Sequence, residues 1–284
     1  RGAADMKSGL AALAIALIEI KESGKLTQGT IKFMATVGEE MEQSGSQQLF
    51  EKGYADDLDA LLIAEPSFPS LVYAHKGSMD FRIKSKGRAS HSSLPFLGQN
   101  AIKPLLEFIQ NINQEYEKIT QSVKGESLDF SNMINNLGSQ LPNHITKEKA
   151  QELIQGLVMT NSIVQGGTQV NSVPDFATAE FNVRTIPEYN NNKVKALFNE
   201  YIEQANQNGA SLTQELYLDL EPVVTTGQNR LVELGFDIAK SHFSNERDLI
   251  VTPTVAVTDA SNLLKGKDEN FPFLMFGPGN GPHQ

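Results

Sequence analysis

Two stretches decide the fold of this chain: residues 30–40 read TIKFMATVGEE, and residues 58–67 read LDALLIAEPS. Strand-forming side chains alternate along residues 30–37, at Ile31, Phe33, Ala35 and Val37, which predicts a strand. Residues 58–64 form a nearly continuous apolar run, which is typical of a strand buried on both faces. Two such strands with a helix-like linker between them predict an α/β fold with a parallel sheet.

The same α/β pattern continues toward both ends of the chain. Residues 8–21 carry apolar side chains at helical spacing and stop before Gly24, which predicts a helix. After Glu221 and Pro222, the patterns predict a helix over residues 229–243 and strands over residues 252–257 and 271–276. Residues 1–74 and 221–284 are therefore predicted to form one α/β domain.

A different pattern occupies the middle of the chain. It predicts β-α-β-β-α-β, with strands at 78–84, 156–164, 176–184 and 211–220 and helices at 101–119 and 190–207. Residues 120–154 read as an irregular insertion within it. The middle is therefore predicted to be a smaller ferredoxin-like (split βαβ) domain at residues 75–220, which interrupts the α/β domain.

The composition restricts the possible partners. The 284 residues carry a formal net charge of −10, and such an acidic surface repels nucleic acid and anionic membranes, so we expect neither as a partner. No run approaches the ~18 apolar residues of a membrane-spanning helix. The chain has no cysteine, which excludes disulfides, thiolate zinc sites and a cysteine nucleophile, and which fits a cytoplasmic protein.

Acidic residues follow the predicted strands, where open α/β sheets place their sites. Glu39 and Glu40 follow the first strand, Glu65 the second, and His283 the last, while Asp5 precedes the first helix. Carboxylates with an imidazole suit zinc or a similar divalent ion, and a neighbouring Glu can act as base. Each residue also has an ordinary explanation, as a helix cap, a solvated loop or a turn. Asp259, near another predicted strand end, either lines the same pocket or is a plain loop acid.

The residues around these acids resemble the motifs of a known family. RGAADMKSG (residues 1–9), TVGEE (36–40), AEPS (64–67) and FGPG followed by His283 are similar, in order, to motifs of co-catalytic zinc hydrolases. That family contains acetylornithine deacetylase, succinyl-diaminopimelate desuccinylase, aminoacylase and carboxypeptidase G. The resemblance implies a zinc-peptidase-like catalytic domain that is interrupted by a dimerisation or lid domain.

The resemblance also implies roles for the acidic residues. Asp5 would bridge two Zn²⁺ ions, with Co²⁺ or Mn²⁺ as alternatives, Glu40 and His283 would ligate one ion, and Glu65 would ligate the other. Glu39 would be the general base. The family's first zinc histidine lies upstream of the Asp5 motif, so we expect this chain to belong to a longer protein and to carry an incomplete metal site.

Three residues of the middle domain match further family motifs. GRASHSSLP (residues 87–95) contains His91, which in the family stabilises the oxyanion in the partner subunit's site. GGTQVNSVP (166–174) contains Asn171, a substrate contact, and Arg184 matches the arginine that binds the substrate carboxylate. The resemblance thus implies a homodimer that forms through the middle domain.

The expected reaction is hydrolysis of the amide bond of an N-acyl amino acid, N-succinyl-diaminopimelate or N-acetylornithine, in lysine or other amino-acid biosynthesis. The sequence has no Gly-x-Ser-x-Gly elbow, Walker loop or His-Glu-x-x-His. Two alternatives stay open: a dipeptidase or carboxypeptidase of the same family, and a relative that binds a ligand without turnover. An intact Glu39, which binding alone does not need, argues against the second.

Overall fold

The structure is a computed structural model that describes residues 2–243 and 248–279. The helices in this part of the chain are, in order, α1 Lys7–Ser23, α2 Ser44–Glu51, α3 Ile102–Ser122, α4 Ser131–Leu137, α5 Lys147–Gln155, α6 Asn191–Gln207, α7 Arg230–Phe243 and α8 Ala260–Leu263. The strands are β1 Leu61–Pro66, β2 Ser70–His75, β3 Ser78–Lys86, β4 Ser90–His91, β5 Val158–Gly166, β6 Ser172–Val173, β7 Phe176–Arg184, β8 Leu212–Leu220, β9 Ile250–Thr254 and β10 Phe273–Gly277.

The outer parts of the chain form a mixed sheet of order β1-β10-β2-β9. β1 and β10 are parallel, as are β2 and β9, but β10 and β2 are antiparallel. One face packs on α7 through Leu71, Val232 and Leu274. Apolar side chains of the strands also pack with α8 through Ala260 and Leu263. A sheet that is covered in this way reads as continuous apolar runs, which explains the pattern of residues 58–64.

The middle part forms an antiparallel sheet of order β5-β7-β3-β8, which we call the lid sheet. Along β3, Met79, Phe81 and Ile83 are fully buried against α3 and α6, and Phe81 stacks on Phe198 with ring centroids 4.3 Å apart. The alternate residues form a polar face that carries ion pairs, such as Arg82 with Glu180 at 2.9 Å. The split βαβ prediction is confirmed in element order.

α1 approaches β1 closely, and this approach places the loop that carries Asp5. A Cβ atom on Gly9 would lie 2.0 Å from the Ala64 carbonyl oxygen, so only glycine fits here. Gly9 is accordingly the buried residue of α1. The start of the helix is thereby held against the strand that carries Glu65.

Three predictions about the elements are wrong. Residues 30–36 form no strand, and Ile31, Phe33 and Val37 are exposed, because no described strand lies beside them to complete a ladder of hydrogen bonds. The sheet of the outer parts is mixed, since residues 70–75 form β2, which runs antiparallel to β10. The insertion over residues 120–154 contains α4 and α5.

The insertion connects the two sheets. Phe130 and Leu128 are buried against β2, and the Asn132 side chain donates to the Val251 carbonyl oxygen on β9 at 2.9 Å. Glu188, on the lid side, accepts hydrogen bonds from the Glu126 and Ser127 backbone amides at 2.9 and 2.7 Å.

Within the described residues, no helix is both long enough and apolar enough to span a bilayer.

Candidate active site

Five acidic side chains lie near the end of β1, and we call them the carboxylate cluster. Asp5 precedes α1, Glu39 and Glu40 lie in the turn before α2, Glu65 lies near the end of β1, and Asp259 precedes α8. Their charges act on one another, because Asp5, Glu40 and Asp259 all raise the pKa of Glu39. These effects show that Asp5, Glu39 and Glu65 lie near one another, with Asp259 beside them.

Glu39 has the electrostatics of a group that holds a proton near neutral pH. Burial, followed by the charges of Asp259, Glu40 and Asp5, raises its pKa to about 7. The Gln43 amide opposes this rise, donating from Nε2 to Glu39 Oε1 at 3.1 Å. A carboxyl with a pKa near 7 can both accept and release a proton at neutral pH, which suits a general base.

The pKa of Glu65 is raised further than that of Glu39. Burial, followed by the charges of Glu39 and Asp5, raises its pKa to about 8, and a hydrogen bond with the Asp5 carboxyl raises it as well. In the described residues, Asp5, Glu39 and Glu65 take part in no salt bridge. Half-buried carboxylates that repel one another, with no cation facing them, form a donor set that a divalent ion would stabilise.

The chemistry of the donor set therefore fits a metal ion, whereas its present arrangement does not complete a site. Within residues 2–243 and 248–279, no three Asp, Glu or His side chains converge as metal ligands would. His283, the predicted imidazole ligand, lies outside the described residues. Glu40 is exposed, whereas Asp5 and Glu65 share a hydrogen bond.

The raised pKa values predict how the stability of the metal-free protein depends on pH. Because the pKa of Glu39 in the folded state is about 7, against an ordinary 4.5, the folded protein binds this proton more tightly than the unfolded chain. This stabilisation is complete below pH 4.5 and is lost as the pH rises through 7. Glu39→Gln removes the effect, so at pH 8 the metal-free variant should exceed the wild type by roughly 2 kcal/mol in free energy of unfolding.

Urea unfolding of the metal-free protein between pH 5 and 8 measures this difference. Glu42→Gln is the matched control, because it removes the same charge from an exposed neighbour. The free energies of unfolding of the wild type and Glu39→Gln should diverge progressively from pH 5 up to about pH 7 and then stay apart, whereas Glu42→Gln should follow the wild type. Parallel curves for all three proteins would show that Glu39 holds no extra proton.

His91 lies in β4 and Asn171 immediately precedes β6, and these two short strands pair as a small two-stranded sheet. The Ser92 amide donates to the Asn171 carbonyl oxygen at 2.9 Å. The Ser93 amide donates to His91 Nδ1 at 3.3 Å, so Nδ1 is an acceptor and the proton of the neutral ring lies on Nε2. The exposed imidazole thus offers an N–H donor. In the described chain, no hydrogen bond links it to the carboxylate cluster.

Arg184 lies at the end of β7, beside the junction with the mixed sheet. The Thr185 and Gly77 backbones exchange hydrogen bonds of 3.2 and 3.0 Å next to it. Burial lowers the pKa of Arg184, while the charge of Asp80 opposes this. Its guanidinium forms no hydrogen bond or ion pair with any described residue, which leaves all its donors available for an anion.

Two further basic residues lie at this junction, and no motif in the sequence points to a role for either. The Lys76 ammonium is fully buried and donates to the Gly156 carbonyl oxygen at 2.5 Å, and burial and the Arg184 charge lower its pKa to about 8. Burial lowers the pKa of His75 to about 4, so its ring is neutral. His75 Nε2 lies 3.2 Å from the Thr258 hydroxyl, next to Asp259 in the carboxylate cluster. Arg184 thus lies close enough to Lys76 and His75 for its charge to lower the pKa of both.

Asp259 belongs to the cluster, which decides between the two explanations of this residue that the sequence left open. Its side chain is 8% exposed, and one oxygen accepts a hydrogen bond from the Thr36 hydroxyl while the other has no partner among residues 2–243 and 248–279. The signal in the sequence was its position after a strand. Gln43, which contacts Glu39, carried no such signal, because nothing in its neighbourhood distinguishes it from Gln47 or Gln48.

Comparison with known proteins yields relatives along the whole chain. Residues 73–210 match the M20 peptidase dimerisation domain. The chain is 42% identical over 280 residues to a probable succinyl-diaminopimelate desuccinylase of Staphylococcus aureus, covering 99% of this chain and 67% of that protein. It is 43% identical over 279 residues to the corresponding Staphylococcus epidermidis protein, covering 98% of this chain and 67% of the relative.

Solved structures share the fold at low sequence identity. An M20 family metallo-carboxypeptidase from Sulfolobus solfataricus superposes with a TM-score of 0.72 at 18% identity, covering 97% of this chain and 68% of the other. The aminopeptidase PepT of Bacillus cereus gives a TM-score of 0.64 at 19% identity, covering 96% of this chain. The present chain spans 62% of the length of that aminopeptidase.

A mixed sheet interrupted by a lid sheet is the architecture that this chain shares with these hydrolase structures. The 42% identity between this chain and the desuccinylase over 280 residues assigns the chain to one family of such hydrolases. The chain belongs to the M20 family of metallopeptidases and amidohydrolases, as the motifs around Asp5, Glu39 and Glu65 implied.

Proposed function

We propose that the full-length protein is a metal-dependent amidohydrolase that releases the acyl group from an N-acyl amino acid, and that N-succinyl-diaminopimelate is its substrate. The observation that carries the proposal is the 42% identity to a probable succinyl-diaminopimelate desuccinylase over 280 residues, a span that includes Glu39 and the acids around it. The proposal places this reaction in the cytoplasm, as a step of lysine biosynthesis.

The metal ions, which we propose to be zinc, would be held by Asp5, Glu40, Glu65 and His283. When bound, the ions supply Lewis acidity, which polarises the scissile carbonyl and lowers the pKa of a water molecule. A positive charge beside Glu39 would also lower its pKa from the value of about 7 that the metal-free cluster gives it. It would then be a carboxylate that is ready to accept a proton.

Glu39 takes the proton of the attacking water and returns it to the leaving nitrogen. These two transfers require one group that accepts a proton and then donates it, and a carboxyl group does both. The electrostatic repulsion from Asp259 and Glu40 favours the protonated form, and the Gln43 amide favours the carboxylate. The balance between these two influences helps to set the pKa of Glu39.

Binding of the substrate carboxylate is assigned to Arg184, with Asn171 as a second contact. A planar guanidinium binds a carboxylate through two parallel hydrogen bonds, and that of Arg184 has no competing acid partner among the described residues. The His91 Nε2–H is the donor proposed for the oxygen that gains negative charge during attack. Since His91 is exposed on the lid domain, we assign this donor to the partner subunit of a homodimer.

The substrate is tested by comparing turnover of three classes of compound by the full-length protein. N-succinyl-diaminopimelate should give the highest kcat/KM, N-acetylornithine a lower one, and dipeptides the lowest. The members of the family include carboxypeptidases such as the Sulfolobus protein, so dipeptide hydrolysis is the outcome that competes. Turnover of dipeptides alone would overturn the substrate while leaving an M20 hydrolase.

The action of His91 across subunits predicts complementation between two inactive variants. A dimer of one Glu39→Gln subunit and one His91→Ala subunit contains one site with an intact Glu39 and an intact partner His91. Random mixing should therefore restore about a quarter of wild-type activity, because half of the dimers are mixed and each has one working site.

Complementation is measured by co-expressing the two variants and comparing the mixture with each variant alone. If His91 served the site of its own subunit, neither site in a mixed dimer would be intact. Activity that stays at the level of the single variants, in a protein shown by light scattering to be dimeric, would contradict action in the partner's site.

A further inference from the structure

Gln43 occupies an unusual position next to the base. It is fully buried, although glutamine is a polar residue that mostly lies on protein surfaces. Its φ of 51° lies in the left-handed region, which non-glycine residues adopt uncommonly. It sits at the start of α2 but does not cap the helix with its side chain. The side-chain amide of Gln43 therefore contacts a group other than the start of the helix.

The orientation of this amide is set by Glu39. Gln43 Nε2 donates to Glu39 Oε1 at 3.1 Å, and in the described chain no other side chain donates to this carboxylate. Gln43 Oε1 is buried and has no hydrogen-bond partner in the part of the chain that the structure describes. Rotating the amide by 180° would place its oxygen against a carboxylate oxygen, so the donor must face Glu39.

The backbone of Gln43 is anchored on both sides. Its amide donates to the Gly38 carbonyl oxygen at 2.8 Å, which closes the turn that contains Glu39. Its carbonyl oxygen accepts from the Ser46 hydroxyl at 3.0 Å, and the Asn262 side chain donates to that hydroxyl at 3.0 Å. Asn262 lies on α8, the helix that begins directly after Asp259. The loop that carries Glu39 is therefore held by buried hydrogen bonds to this helix.

We propose that Gln43 is a positioning residue that fixes the rotamer of the Glu39 carboxylate for proton transfer. One oxygen of the carboxylate is held by the amide, and the other is left to accept the proton of the attacking water. The inference rests on the proposed function, because it needs Glu39 to be the base. It assigns the orientation of that base to a buried glutamine at i+4 and, through Ser46 and Asn262, to α8.

The chain offers a matched pair of glutamines for the test. Gln47 Nε2 donates to Glu51 Oε1 at 2.8 Å, which is the same type of contact between residues four apart, but on an exposed surface. Gln43→Met keeps the length of the side chain and removes the donor. We expect its kcat to fall by about 10- to 100-fold with KM within about twofold, since a misplaced base affects the transition state alone. Gln47→Met should match the wild type.

Both variants are compared with the wild type in full-length protein for kcat, KM, bound metal and thermal midpoint. Gln43→Glu is the second variant, because it has the same size and leaves no cavity but cannot donate when ionised; it should also lose kcat selectively. An unchanged kcat, or a loss of kcat that is matched by lost metal or lost folding in both variants, would overturn the positioning role. Wild-type turnover tests the proposed function separately, so the two failures are distinguishable.

Discussion

Glu39→Gln should lower kcat for the preferred N-acyl amino acid by about 10²–10⁴-fold, which is the range lost when a general base is removed. The amide has the same shape as the carboxyl but cannot accept a proton. The surroundings of Glu39 are those of a working base, since burial and three neighbouring acids raise its pKa to about 7. Steady-state kinetics with the full-length variant measure the loss.

Two comparisons decide whether the loss of kcat results from removal of the general base. Metal content and thermal midpoint should equal those of the wild type or exceed them, because the variant relieves charge repulsion in the cluster. Glu42→Gln, which removes an exposed charge three residues away, should keep full activity. A Glu39→Gln protein that binds metal and retains more than a tenth of wild-type kcat would show that another group takes the proton.

Arg184→Met should lower kcat/KM for substrates with a free carboxylate by about 10²–10⁴-fold, because two charge-assisted hydrogen bonds of about 1.5–3 kcal/mol each are lost. The half-buried guanidinium has no partner among the described residues, so the substrate would be its counter-ion. Arg184→Lys should recover little of the loss, since an ammonium cannot form the paired contact.

Arg82 provides the control, because it lies on the same face of the lid sheet and pairs with Glu180 at 2.9 Å and with Glu215 at 3.4 Å. Exposed pairs of this kind are worth about 0–1 kcal/mol, so Arg82→Met should leave kcat/KM unchanged. Substrates whose carboxylate is converted to an amide complete the test. If Arg184→Met reduced hydrolysis of the carboxylate substrate and of its amide derivative equally, the proposed contact between Arg184 and the substrate carboxylate would be wrong.

The local patterns of the sequence predicted the elements whose neighbours are also present. β7 begins and ends where its alternating pattern does, since Phe181 and Val183 pack on the helices and Glu180 faces the polar side. Residues 30–37 have the same alternation but form no strand. Periodicity describes the faces of a strand, whereas the ladder depends on a neighbouring strand that the pattern does not specify.

The candidate site was predictable where chain topology sets it. Glu39 and Glu65 were expected together because both follow stretches that lead to one edge, and the structure brings them together. Gln43 and His75 depend on tertiary contacts that have no local signal: a buried amide at i+4 from the base and a neutral ring beside Thr258. Asp259 was marked only by its position after a strand, which does not reveal its contact with Thr36. The roles of His91, Asn171 and Arg184 in catalysis stay predictions.

The most direct test of the central claim is N-succinyl-diaminopimelate hydrolysis by the full-length protein before chelation, after removal of metal, and after zinc is restored. We predict that turnover disappears with the metal and returns with about two zinc ions per chain, a number implied by a shared Asp5 between two sites. Turnover that survives complete removal of metal, or zinc binding without turnover of any acyl or peptide substrate, would contradict the assignment of a metal-dependent amidohydrolase.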